Sequence, residues 1–418
     1  MSITSRIILL CHRVFLLFCL LGLSSCASHL AKVSPVRQQL LSGKCDTALT
    51  SLDALSATES DDRLLYLMEY GSALQICRDF KKSNDVLHTA DALSEQIDYH
   101  SVSRIVGATL FNEGIIQYKG DKFEKIFINV LSALNYLQLD QPDEAMVEVR
   151  RINEKYIRFS AEENNSYELN SFSKYLSGLI WESSRRYDDA CIDYKQSYHL
   201  DKSYRAVGLD MLTACWRARR SQEFGELVKE MGASASEIEY AKRKNKKEVI
   251  LVYLQGWGPV KVTRRGDELY ATLAATPSQT KRLTAEWDSG KELKSAHTEI
   301  VYNVESAAMA TLEADYNSLA ARRIGARVAK EVVADQIRQK DRTLGNVAWL
   351  IMVASEHADL RNWTFLPESL QVLRITPDSA GKIKLRGEDH LGTLSETFED
   401  IDLSLNPGKK IYLVRSIK

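Results

Sequence analysis

Proline and glycine are scarce in this chain, seven and twenty among 418 residues, and they hardly interrupt the stretch from Pro35 to Glu230. A basic excess is absent: 55 Lys and Arg stand against 56 Asp and Glu, net −1, which argues against general nucleic-acid binding. After Leu23 no apolar stretch approaches the ~20 residues of a membrane span. The eight histidines stand singly, without a His-Glu-x-x-His or comparable metal spacing. A Gly-x-Ser-x-Gly elbow and a phosphate-cradling Gly-Lys-Ser/Thr loop are also missing. Gly256-Trp257-Gly258 follows a strand-like run, but Pro259 and the missing third glycine remove it as a dinucleotide fingerprint. Glu388, Asp389 and His390 lack partners at a definable spacing. The residues therefore name no catalytic set, no metal site and no cofactor.

What is present begins with an address. Arg6 and Arg13 precede a short apolar run, Val14–Leu23, of secretory-signal rather than membrane-spanning length. The run closes on Leu23-Ser24-Ser25-Cys26, which resembles the bacterial lipoprotein signal of Leu, two small residues and Cys. The resemblance implies that residues 1–25 are removed and that Cys26 carries the lipid, palmitate included. With Ala27 rather than Asp next, it also implies sorting to the outer membrane, facing the periplasm. The expected tether, 26–34, would let Ala27–Ser34 span at most ~29 Å. Cys45, Cys77, Cys191 and Cys215 remain, an even number for an oxidising compartment. They pair, Cys45 with Cys77 and Cys191 with Cys215 being the local choice, or they are small buried apolar residues.

The composition, 44% hydrophobic and 27% charged, is that of a folded globular chain of two or three domains. Residues 35–240 read as helices with apolar positions three and four apart. Gly178, Trp181, Ala190 and Tyr194 fall at the small–aromatic–Ala–aromatic offsets of the tetratricopeptide consensus. The offsets recur as Ala133, Tyr136, Ala145 and Val149, and more loosely as Gly71, Leu74, Ser83, Leu87 and Ala90. Ala48 and Leu52 suit the second helix of a degenerate first unit. Arrays of this kind bind partners in a concave groove. Ser160–Ser166 reads as an exposed loop, and Glu144 and Glu148 with Arg150 and Arg151 as a solvated ion-paired face.

Residues 241–247 form a basic linker, and 248–418 change period. Val249–Leu254 reads as a buried strand. Further strands are expected at Leu269–Ala274, Thr280–Trp287, Glu299–Val304, Ser369–Ile375, Lys382–Leu385 and Lys410–Ile417. Helices are expected from Ser306 to about Lys340 and from Thr343 to Glu356. The grouping gives a fold that is mainly α with α+β: a tetratricopeptide-like helical repeat array followed by a smaller α+β domain. Arg323, Arg327 and Lys330 make a cationic stripe on the long helix, read either as an anion-binding patch or as a solvated or salt-bridged face. Trp257, Arg361 and Trp363 complete the candidate binding residues, with Trp363, Phe365 and Leu366 able instead to pin a loop to the sheet.

Tyr118-Lys119-Gly120, Ala133–Leu137 and Val147–Asn153, with Gly256–Lys261 and Ala358–Pro367, resemble a family of proteobacterial envelope lipoproteins over most of the mature chain. The resemblance implies architecture and location but no reaction. The function expected first is an outer-membrane-anchored, periplasm-facing adaptor in envelope or cell-wall assembly, held by lipid on Cys26 and binding an envelope protein. A hydrolase or ligand-binding protein with its site in the α+β domain, where Arg323, Arg327, Trp257 and Arg361 would gather, is the alternative. A purely structural envelope protein is the third reading.

Overall fold

The computed structural model describes residues 29–108, 117–161, 171–243, 248–288, 292–354, 358–377, 381–405 and 411–418. Cys26 lies outside them, as do the run 244–247 and most of the polar stretch after Ser160. Helices fill the first part as five antiparallel pairs: α1 (His29–Leu41) with α2 (Cys45–Ala57), α3 (Arg63–Ile76) with α4 (Phe80–Ala108), α5 (Lys122–Gln138) with α6 (Pro142–Ala161), α7 (Ser171–Ser183) with α8 (Tyr187–Leu200), and α9 (Arg205–Arg217) with α10 (Ser221–Met231). A short α11 (Ala235–Lys242) follows, capped reciprocally by Ser234 and Glu237. Because α1 already begins at His29, the stretch Ala27–Ser34 is not an extended tether, and Pro35 is accommodated inside a helix.

One turn is repeated five times. Gly43, Arg78, Asp140, Arg185 and Arg219 each take a left-handed backbone conformation between the two helices of a pair. Five positions later Ala48, Ser83, Ala145, Ala190 and Phe224 enter the helix crossing, all buried. The turn closes by backbone bonds back into the first helix, for example Arg186 N–H to the Trp181 carbonyl at 2.9 Å. At two crossings the first helix must be glycine: a Cβ on Gly178 would stand 2.6 Å from the Tyr194 ring, and one on Gly71 2.5 Å from Leu87. Thirty-four residues after Gly178 stands Leu212, not a small residue, so the fifth pair carries no consensus signal in the sequence. Two disulfides fasten successive pairs, Cys45–Cys77 between α2 and the end of α3, and Cys191–Cys215 between α8 and α9.

The second part holds two sheets. In the first, β11 (Ile411–Arg415) lies parallel to β1 (Val249–Gln255), which pairs antiparallel with β7 (Ser369–Ile375), and β7 with β6 (Glu299–Asn303). In the second, β10 (Ile401–Asp402), β8 (Lys382–Glu388), β4 (Arg282–Asp288) and β5 (Leu293–His297) follow in that order, with β9 (Leu394–Thr397) also on β8. A hairpin of β2 (Val260–Arg264) and β3 (Asp267–Ala274) stands apart. The helices are α12 (Val304–Arg338) and α13 (Arg342–Ala354). The strands β2, β5, β9 and β10 are additions to the sequence expectation; they are short and none of their residues is fully buried, so no buried apolar run marks them.

β1 is buried at every position, and its first six residues are apolar, because both of its faces are covered. Ile250, Val252 and Leu254 join the core of the helical array, while Val249, Leu251 and Tyr253 join the core of the second sheet. The molecule is thus layered: helical array, first sheet, second sheet. Trp257, Val301, Tyr302, Phe365, Leu370 and Val372 belong to the same apolar cluster as Leu65, Phe127 and Tyr194 of the array. The concave face expected to receive a partner is filled by the chain's own sheet.

Candidate functional site

The seam between the two parts gathers three of the six candidate binding residues, Trp257, Arg361 and Trp363. Between α13 and β7 the chain runs through Asp359-Leu360-Arg361-Asn362-Trp363-Thr364-Phe365-Leu366, and it lies in the array. Two buried carboxylates hold its backbone. Glu69, in the middle of α3, accepts the Thr364 and Phe365 N–H groups at 2.9 Å each and the Thr364 hydroxyl at 2.7 Å. Glu124, in the first turn of α5, accepts the Trp363 N–H at 2.8 Å. Its other oxygen accepts the Tyr118 hydroxyl at 2.6 Å and the Asp121 N–H at 2.9 Å, the latter as part of a capping box.

Side chains complete the clamp. The Trp363 indole, 1% exposed, donates to Ser72 Oγ at 3.0 Å. Arg361 pairs with Asp62 on the array at 2.9 Å and with Asp359 at 2.7 Å. Burial works against its charge, but Asp359 and Asp62 hold its pKa above the ordinary arginine value. Asn362 donates to the Pro259 carbonyl and accepts from the Lys261 N–H, tying the segment to the turn after β1. In that turn Trp257 donates to the Ile417 carbonyl and rests against the Phe365 ring, with centroids 5.1 Å apart. The Arg37 guanidinium of α1 lies 4.8 Å from the Trp257 ring and donates to the Thr364 carbonyl. Gly258 N–H donates to Leu366, a close approach that its missing side chain allows.

A second buried contact lies at the other end of the seam. Arg374 of β7 meets Glu182 of α7 at 2.8 Å, Asp210 of α9 at 2.9 Å and Glu248 at 3.1 Å. Tyr194 and Tyr175 donate to Glu182 and Asp210 respectively. Burial opposes the Arg374 charge, yet the surrounding carboxylates keep it well above its ordinary value. Burial also pushes the Glu124 carboxyl up to about 7, helped by Asp121, and that of Asp210 up to about 6. Isolated charges within apolar runs, Glu69 in Leu-Met-Glu-Tyr-Gly and Arg374 in Val-Leu-Arg-Ile, were the available sequence signal for these residues.

The other candidates fall into place around this seam. Gly71, Ala133, Ala145, Gly178, Trp181, Ala190 and Tyr194 lie at buried helix crossings, and Tyr136 is half-buried beside His88. Of the expected solvated face, Glu144 and Arg150 are exposed, whereas Glu148 is buried and bonded by Asn129 and His88, with Arg151 3.4 Å away. The cationic stripe is divided, since Lys330 is buried and Arg327 exposed. Arg323 is placed on α12 by its backbone alone. Trp257 and Arg361 are drawn into the seam and Arg327 is left on the surface, so the set expected to line a ligand pocket is not assembled. Among the described residues no three His, Cys, Asp or Glu side chains are grouped to hold a metal. Likewise no described helix is long and apolar enough to cross a membrane.

No protein-family model and no curated protein matches the chain. Solved structures resemble its helical part. One is a Podosopora anserina protein of nearly identical TPR-like repeats, described as a kinesin light chain: 14% identical, covering 53% of this chain and 100% of its own, with a TM-score of 0.34. Another is MamA from Desulfovibrio magneticus RS-1: 13% identical over 50% of this chain and 94% of its own, with a TM-score of 0.31. The helical-repeat assignment itself rests on the five-fold turn and crossing geometry above.

Proposed function

We propose that the chain is an outer-membrane lipoprotein, anchored through Cys26 and facing the periplasm, that acts as a protein–protein adaptor in envelope assembly. The filled concave face carries the reading of where it works. With Glu69, Glu124 and the Trp363 pocket committed to the chain itself, the array serves as a rigid cradle. The partner-facing part is then the C-terminal domain, whose strand β5 has no neighbour on its outer side among the described residues. An open strand edge of this kind accepts an added strand from a partner. The reading assigns no reaction.

A photo-activatable cross-linker tests it in cells, placed at exposed Ser295 on β5 or at exposed Glu226 on α10. A reproducible envelope protein captured from position 295 and not from 226 supports the reading. Capture from 226 alone moves the working surface to the array, and capture from neither position counts against the adaptor.

A further inference from the structure

Three of the five repeated turns place arginine where the backbone favours glycine. Arg78, Arg185 and Arg219 have φ of 66°, 61° and 60°, the left-handed region that Gly43 occupies without strain in the first pair. Glycine would close these turns as well, so the turns alone do not account for the arginine side chains. Arg78 shows one use: its guanidinium reaches the Glu399 carboxylate of the second part of the chain at 2.9 Å. Arg185 and Arg219 are exposed, and among the described residues neither guanidinium makes a hydrogen bond or an ion pair.

The turns of the fourth and fifth pairs touch, since Arg220 donates to Asp188 and to Glu223 at 2.9 Å each. Arg186 pairs with Asp189 at 2.8 Å, and Arg217 with Glu182. Residues 183–189 and 216–223 hold five arginines against Asp188, Asp189 and Glu223. All three acids are engaged, and the surplus is Arg185 and Arg219. On the neighbouring third pair the same turn carries exposed Asp140, Asp143 and Glu144, which bound the basic surface on that side. One helical turn before Arg219 stands Trp216, 38% exposed, its ring against Phe224 and 4.7 Å from Lys242 Nζ. Arginine and tryptophan are the residue types that concentrate binding energy in interfaces. The engaged acids interleave the arginines, an arrangement that repels a dense polyanion or an anionic bilayer and admits spaced carboxylates. The Arg78–Glu399 pair is the precedent within the chain for such a carboxylate.

We propose that the turn edge of the fourth and fifth helix pairs receives an acidic peptide segment of a partner protein. Its carboxylates lie on Arg185 and Arg219, and an apolar side chain packs against Trp216. Adjacent helices stand ~8–10 Å apart, so three or four residues of extended chain, at ~3.3 Å each, span both arginines. The surface is independent of the strand edge at β5 and of Cys26, and either can fail without the other.

The test is fluorescence anisotropy of the full chain with a labelled peptide of residues 396–402, Glu-Thr-Phe-Glu-Asp-Ile-Asp. This is the segment that Arg78 touches, and it supplies four carboxylates and a phenylalanine. Binding weakened by salt is expected, with none to the peptide whose four carboxylates are replaced by amides. Phe398→Ser in the peptide should weaken it several-fold. Arg185→Gly with Arg219→Gly in the protein should weaken it about tenfold, the effect of losing two exposed ion pairs. Because glycine suits both turns, that variant should melt within about 2 °C of wild type. Absence of peptide binding at low salt, or equal binding by wild type and the Gly variant, overturns the proposal. So does a Gly variant that melts more than about 5 °C lower, which gives the arginines a role within the fold. Binding to phosphatidylglycerol vesicles that the Gly variant loses, without peptide binding, overturns it in favour of lipid phosphates.

Discussion

Glu124 is a buried acid whose proton is held more tightly in the folded chain than in the unfolded one. Its folded pKa is about 7 against an ordinary 4.5, and that of Asp210 is about 6 against 3.8. Between those values the folded state binds the extra proton. The stability from these groups is therefore complete below about pH 4 and lost as pH rises through 6 and 7. Thermal melts should show the protein more stable at pH 5.5 than at pH 8, and Glu124→Gln should flatten that slope; a wild-type melting temperature that rises from 5.5 to 8 contradicts the assignment. Trp363 is the other decisive residue. Burying it, Phe365 and Leu366 contributes roughly 1.5–3 kcal/mol each, so Trp363→Ala, which also strands Ser72, should cost about 3–5 kcal/mol in urea unfolding. A loss under about 1 kcal/mol would mean that the segment does not sit in the array.

At the scale of elements, legibility followed periodicity. The array was readable because small and aromatic residues recur at fixed offsets, and β1 because a strand covered on both faces leaves a continuous apolar run. The fifth helix pair was not, since Leu212 and Phe224 occupy its crossing in place of a small residue and Ala. The seam was half readable: Trp257, Arg361 and Trp363 stood out by type, but their partners in the array, Arg37, Asp62, Glu124 and Ser72, lie some 220 to 300 residues away in the chain, and no local pattern reports such a contact. The disulfides are an element-scale matter too. Cys191–Cys215 closes a loop of 24 residues, so replacing both by Ser should cost about 3 kcal/mol, read as a lower urea midpoint. Strand β11 pairs along the whole of Ile250–Leu254. Deleting residues 411–418 should leave β1 with an open edge and the Trp257 indole unpaired, and should yield no folded protein by circular dichroism.

For the whole molecule, the shared core changes what an adaptor of this shape can do. The array and the first sheet form one apolar cluster, so they should unfold together, and a groove ligand would have to displace a structural layer. The proposed membrane address is a separate question: Cys26→Ser should release the protein from the membrane fraction. The central claim is that residues 361–366 fill the array's concave face, and hydrogen–deuterium exchange of the full chain tests it most directly. The account predicts that the Trp363, Thr364 and Phe365 amides, held by Glu124 and Glu69, exchange as slowly as those of β1. Exchange of these three amides at the rate of an exposed loop, while β1 stays protected, would contradict it.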